Sequence, residues 1–403
     1  MPADDLRFGS NALQGSAEAS VLREVPDFDG IPDFPFRVVA QDGHARAGLL
    51  HTPRGVVETP CFMPVGTKAT VKGMTPDRLR AAGAQIVLAN TYHLALRPGS
   101  EVVRHLGGLH RFMQWQGPLL TDSGGYQVFS LKDSAKVNDE GVEFRSIYDG
   151  SRQFFTPERV MAEQAALGAD IVMCFDECPP GTASEDQVSQ AVKRTALWAK
   201  RCKEAHRVRQ GVGTDGPQML LGIVQGGIFP HLRRESVERT LTIGFPGYAL
   251  GGLSVGEERT AMLEITELTT SLLPENRLRY FMGIGDPRGV LEVIARGVDI
   301  FDCVLPTRTA RMGTAFTRSG RINLRNAKHA LSDAPLEEGC PCTACQGFTR
   351  GAIRHFVMQK EILGIILLTE HNLFYLTGLV RRARQAILGG TFANFMRSVE
   401  GAW

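Results

Sequence analysis

Three aspartates each close a short apolar run: Asp122 ends 118-PLLTD-122, Asp176 ends 169-ADIVMCFD-176 and Asp302 ends 298-VDIFD-302. A lone Asp there is usually a turn former or helix cap, because its short side chain bonds the backbone that follows. Three at the same point of a repeating pattern fit a shared site better, with carboxylates as general acid, general base or nucleophile. Arg308 and Arg311 follow Asp302 within nine residues, in 303-CVLPTRTAR-311. Arginine forks hold phosphate or carboxylate. An anion held by these two would be repelled by Asp302, so the stretch has to serve two purposes at once.

A second constellation is 340-CPCTAC-345, which supplies Cys340, Cys342 and Cys345. With one imidazole these thiolates form a closed tetrahedral set of the structural zinc type, leaving no position for water. His371 follows after 25 intervening residues, and by spacing alone His329 and His355 compete for the fourth place. A zinc hydrolase would need an open metal position, which this donor set does not leave. Among the other cysteines, Cys61, Cys174, Cys202 and Cys303 sit in apolar or helical contexts and are expected in the core. Cys178 follows Asp176 and Glu177 at a strand end, where it would line a pocket.

These residues need a frame. Eight apolar runs recur at 60–65, 84–90, 118–122, 169–176, 219–225, 247–252, 279–285 and 298–302, rich in aliphatic residues as strands buried on both faces are. Helical patterns alternate with them, at 156–168 with Thr156 as cap and Pro157 in the first turn, and at 184–207, 257–273, 286–297 and 374–390. The pattern predicts an α/β protein built as a (β/α)8 TIM barrel, with active-site groups at the C-terminal strand ends. Those ends read Asn90, Asp122, Asp176, Gln225, Gly252, Gly285 and Asp302. A doubly wound sheet is the alternative, but no GxGxxG follows the first strand. The segment at about 309–372 reads as a zinc-braced insertion in a catalytic domain spanning 35–403. Residues 1–34 read as a partly disordered N-terminal extension.

The net charge is +2, yet residues 303–403 carry thirteen Lys/Arg against six Asp/Glu. That imbalance is a weak electrostatic pointer to nucleic acid. No apolar run reaches the ~18 residues of a membrane span, and the polar, acidic N-terminus lacks the features of a signal peptide. A cytoplasmic protein with reduced cysteines is expected.

The stretches 90-NTYHLALRPG-99, 121-TDSGGYQVFSL-131, 173-MCFDECPP-180, 222-GIVQGG-227, 249-ALGGLSVGE-257, 280-YFMGIGDP-287 and 301-FDCVLPTR-308, with the CxCxxC…His set, resemble the bacterial tRNA-guanine transglycosylases over about residues 36–400. The resemblance implies exchange of guanine at the anticodon wobble position of tRNA for 7-aminomethyl-7-deazaguanine, the queuosine pathway. It also implies a zinc-bearing barrel, one structural zinc per subunit with His371 as fourth ligand, a homodimer, and tRNA carrying U-G-U in its anticodon loop. Cys178 and Val255 match the bacterial pattern.

Carried over by motif, Asp302 is the nucleophile that attacks C1′ and gives a covalent intermediate. Asp122 moves protons to and from the bases. Asp176, Gln225 and Gly252 read the purine edge beside Ser123 and Cys178, while Tyr126 and Met282 sandwich the ring. Leu253 and Glu257 favour the aminomethyl cation. Val65 and Gly66 lie near the ribose, and Arg308 and Arg311 hold the phosphates. This resolves the charge conflict: the arginines meet phosphates while the carboxylate meets a sugar carbon that becomes cation-like. Met312 stands where a polar residue is expected. A catalytically dead tRNA-binding homologue would lack one of the three acids, and all are present.

Overall fold

The computed structural model describes residues 34–130, 135–209 and 216–403, so the expected N-terminal extension lies outside the described residues but for Phe34. All eight predicted runs form strands: β1 Cys61–Gly66, β2 Val87–Ala89, β3 Leu119–Thr121, β4 Ile171–Met173, β5 Met219–Val224, β6 Gly247–Leu250, β7 Leu278–Phe281 and β8 Ile300–Cys303. They pair in parallel and in chain order, and β8 closes on β1 through the register Ile300↔Cys61 to Cys303↔Pro64. This closed barrel is the predicted architecture.

The two faces of each strand sort into two cores by the period of two. Along β5, Met219, Leu221 and Ile223 fill the barrel interior, while Leu220 and Val224 face the helices. On β7 and β8 the interior positions are Leu278, Tyr280 and Ile300, and the outward ones are Phe281 and Phe301. Asp302, two residues beyond Ile300, therefore points inward at the mouth. Truncating one interior aliphatic residue to Ala is expected to cost about 2–5 kcal/mol.

The predicted helices appear at Pro157–Leu167, Glu185–Arg209, Arg259–Leu272 and Pro287–Ile294. The Thr156 side chain accepts from the Arg159 N–H at 3.2 Å and that of Asp286 from Gly289 at 2.9 Å, so both caps act as their chemistry dictates. The last helix differs: it spans Ile362–Leu388, twelve residues earlier than its periodic stretch suggested. Its first turns pack on the insertion rather than the barrel. It is also long and apolar enough to cross a membrane, correcting the expectation that no such run exists. Most of it is buried inside the protein, with Glu370, His371 and Arg384 among its buried residues, so it is a core helix.

Three small antiparallel sheets were not anticipated. Strands Phe36–Asp42, Ala45–Thr52 and Gly55–Thr59 cover the barrel floor, the first two joined by a two-residue Gly43-His44 turn in which Gly43 takes φ +62°. Strands Lys136–Asn138, Gly141–Arg145 and Arg152–Phe155 form a second sheet at the mouth, and Thr314–Thr317 pairs with Gly320–Asn323 in the insertion. The insertion holds a satellite core of Ala315, Leu324, Leu336, Ile353 and two cluster cysteines, completed by Leu367 and Leu368 from the long helix.

Candidate active site and metal cluster

A cavity of about 530 Å³ opens at the C-terminal ends of the strands and is lined by Asp122, Asp176 and Asp302 together. Ser123, Tyr126, Cys178, Gly252, Leu253, Met282, Val65 and Arg308 from the sequence reading line it as well. Others stand apart. Glu257 and Gln225 border a smaller cleft behind it, Gly66 is buried under Met113, and Arg311 is half-buried with its guanidinium on the Thr307 carbonyl at 3.0 Å. Cys303, expected in the core, is half-buried and lines the cavity. Met312 is 61% exposed just past the helix Leu305–Arg311.

Asp302 accepts from the Tyr280 hydroxyl at 2.7 Å and the Gly283 N–H at 3.2 Å, both on Oδ1. Burial pushes its carboxyl up to about 6 against those two hydrogen bonds. Asp122 accepts from the Asn90 side-chain amide, from the Thr91 N–H at 2.9 Å and from Gln127 at 3.4 Å. Burial raises it to about 7, opposed by the Thr91 bond and reinforced by the charge of Asp302. Asp176 accepts from Ser123 at 3.0 Å and Gln225 at 2.7 Å, and burial holds it at about 6. Among the described residues no cation pairs with any of the three, so the site keeps carboxylates able to change protonation near neutral pH.

Asn90 and Tyr280 are functional candidates that sequence reasoning did not single out. Asn90 caps the helix Thr91–Leu96 by accepting from the His93 N–H at 3.1 Å. That bond turns its amide so that the NH2 faces Asp122. Its place at a strand end was the available signal. Tyr280 carried none, since an aromatic inside a buried strand reads as core. Gly252 takes φ +65°, and a Cβ there would lie 2.3 Å from Gln225 Oε1, an acceptor with no donor among the described residues. The Glu257 carboxylate is taken up by the backbone N–H groups of Ser254 and Val255 (2.9 Å for the latter).

At the insertion, Cys340, Cys342, Cys345 and His371 bring their donor atoms within 4.8 Å of one another. His371 Nδ1 lies 3.8, 3.5 and 3.3 Å from the three sulfurs in turn. Its Nε2 bonds the Phe316 carbonyl at 2.7 Å, which requires the proton on Nε2 and leaves Nδ1 free to ligate. The geometry selects His371 over His329 and His355. The set can hold a metal ion, tying the insertion to the long helix. None of the eight cysteines forms a disulfide.

A closed parallel barrel with carboxylates converging from several strand ends is the frame of a barrel enzyme. A family model described as queuine tRNA-ribosyltransferase matches residues 41–403. The chain is 54% identical to the queuine tRNA-ribosyltransferase of Halothermothrix orenii over 351 residues, 87% of this chain and 92% of that protein. It is 51% identical to the protein of that name from Symbiobacterium thermophilum over 359 residues, 89% and 88% of the two chains. The chain belongs to the queuine tRNA-ribosyltransferase family.

Proposed function

We propose that this chain is a tRNA-guanine transglycosylase that exchanges the wobble guanine of U-G-U anticodon loops for 7-aminomethyl-7-deazaguanine. The observation that carries this reading is the set of three buried carboxylates in one cavity, each held by neutral donors and, among the described residues, by no cation. With Tyr280 and Gly283 both on Oδ1 of Asp302, Oδ2 is the attacking atom. It bonds C1′ as the C1′–N9 bond breaks, and the departing electron pair on N9 takes a proton from Asp122. The incoming base returns its N9 proton to Asp122, attacks C1′ and displaces the Asp302 oxygen, so two inversions give retention. A proton affinity near neutrality suits Asp122 to both directions.

Asp176 accepts from N1 and the amino group of the purine, while Gln225 gives up its bond to Asp176 to meet O6 beside the Gly252 backbone. Tyr126 and Met282 cover the ring faces. Glu257, by holding the Ser254 and Val255 amides, turns carbonyl groups near Leu253 toward an aminomethyl cation. Val65 and Gly66 border the ribose, and Arg308 and Arg311 hold the flanking phosphates. The metal is Zn2+, since three thiolates and an imidazole suit that ion in a closed structural site. The enzyme acts in the cytoplasm as a homodimer. Incorporation of labelled guanine into a U-G-U tRNA, with a denaturant-resistant protein–RNA adduct, tests the reading. An adduct that survives Asp302→Ala would overturn the nucleophile assignment.

A further inference from the structure

One buried cation stands behind the purine-reading side of the mouth. Arg233 lies near the start of the helix Pro230–Ile243 and exposes no surface. Its counterpart at the floor, Arg46, is balanced by Asp299. Among the described residues Arg233 meets three backbone carbonyls and no carboxylate. Its Nε donates to Gly227 at 2.9 Å, Nη1 to Val224 at 3.0 Å and Nη2 to Gly251 at 2.8 Å. Burial lowers its proton affinity to about 10, so it stays a cation at neutral pH. A neutral donor would hold carbonyls at a far smaller desolvation cost than an unpaired guanidinium, so the charge itself calls for a use.

Those carbonyls belong to the two turns that carry Gln225 and Gly252. The Val224–Gln225 peptide is held at both ends: its carbonyl by Arg233, and its N–H by the hydroxyl oxygen of Ser236 at 2.9 Å, three residues along the same helix face. The Gly251–Gly252 peptide is trans, and in a trans peptide the carbonyl and the N–H point opposite ways. With the Gly251 carbonyl fixed on Arg233, the Gly252 N–H is turned away from the helix and toward the cavity that Gly251, Gly252 and Cys178 line. Cys178 registers that direction. Burial and the Asp176 charge push its thiol up to about 12, against a bond from the Gly252 N–H.

We propose that Arg233 is a positioning residue for the departing base: through the Gly251–Gly252 peptide it aims and polarises the Gly252 N–H toward O6 of a 6-oxopurine. As the C1′–N9 bond breaks, the electron pair left on N9 spreads over the purine and part of the charge reaches O6. A cation on the far end of the peptide strengthens the N–H as a donor, because hydrogen bonds in a chain polarise one another. A fixed dipole aimed at growing charge lowers the barrier. The arrangement also sets specificity, since a base with no oxygen at C6 leaves the N–H without its acceptor. The inference rests on the function proposed above and adds which group strengthens its O6 contact.

The test is exchange of labelled guanine into a U-G-U tRNA transcript, with 2-aminopurine, which lacks O6, as competitor. Arg233→Gln is expected to raise KM for guanine about tenfold and to lower kcat about tenfold, with the Ki of 2-aminopurine within a factor of about two. KM for tRNA, set mainly by phosphate contacts, should move far less. Arg233→Lys keeps the charge but not the fork, so its kcat should return to within about threefold of the wild type. Thermal melts accompany both variants, and where Arg233→Gln does not fold, Arg233→Lys decides alone. A mere brace for the two turns predicts equal weakening of guanine and 2-aminopurine, a low kcat in Arg233→Lys, or loss of folding in both. Any of these, with wild-type exchange intact, overturns the assignment of Arg233. Absence of exchange in the wild type overturns the function on which it rests.

Discussion

Asp299 and Asp302 stand three residues apart at the two ends of β8, and they have opposite surroundings. Asp299, fully buried at the floor, takes both oxygens of its carboxylate to Arg46 at 2.8 and 2.6 Å and accepts from the Arg279 N–H at 2.7 Å. Among the described residues, Asp302 at the mouth meets the Tyr280 hydroxyl and the Gly283 N–H and no cation. The strand β4 repeats the contrast. Asp170, before it, meets Arg54, His110 and the Leu119 N–H, while Asp176, beyond it, meets Ser123 and Gln225. Floor acids are paired with cations and hold elements together. Mouth acids are left with neutral donors and keep a raised proton affinity, as barrels divide stability from chemistry.

The comparison can be broken most directly at Asp302. Asp302→Asn keeps the Oδ1 acceptor for Tyr280 and Gly283 but removes the nucleophile, so exchange should fall on the order of 10^4-fold or more. The sign of the stability effect is opposite. The carboxyl has a folded value raised to about 6, so ionisation weakens the wild-type fold as pH climbs past that value. The variant should therefore unfold later than the wild type at pH 8, by about 1–3 kcal/mol, and show no gain near pH 4. Thermal melts at the two pH values decide it, and a variant that is less stable at pH 8 would contradict the contrast.

Asp299→Asn should behave in the reverse way. Arg46 would be left buried without its charge partner, costing about 3–5 kcal/mol in denaturant unfolding. The protein that remains folded should keep its exchange rate. A loss of turnover per folded molecule would show that the floor is not separate from the chemistry.

The pH profile sharpens the mouth itself. kcat/KM should decline below about 6 as Asp302 takes up a proton, and decline above about 7 as Asp122 loses the one it gives the leaving base. A profile flat from pH 5 to 8.5 would remove both assignments. The smallest effect is expected at Asn90→Asp. That side chain can still accept from the His93 N–H, so the cap survives, but it faces Asp122 with an acceptor in place of a donor. The alkaline limb, set by Asp122, should move up by roughly one pH unit. An unshifted limb would show that Asn90 is only a cap.

Much of this arrangement was legible in the residues. Eight apolar runs with helices between them specify a parallel barrel, because strands buried on both faces and helical periods leave few other packings. Strand-end polarity picked out Asp122, Asp176, Gln225, Gly252 and Asp302, and the spacing of three cysteines marked a metal cluster. The small sheets escaped notice because their strands are short and alternate in polarity, and the long helix escaped because its first turns are apolar all round. Tyr280 was hidden for a related reason: nothing local separates a tyrosine that fills a core from one whose hydroxyl reaches an acid on the next strand.

The order of the elements, the inward phase of Asp302 and the donor chemistry of the cysteines are thus properties of the sequence alone, since they follow from periods of two and 3.6 and from side-chain type. Which acid receives a cation and which a neutral donor was decided only in three dimensions. Arg46 reaches Asp299 from 253 residues away, and His371 was chosen over two nearer or equally placed histidines by the Phe316 carbonyl behind it. Proton affinity and ligation depend on burial and on partners brought together by closure of the barrel, and no local spacing encodes them.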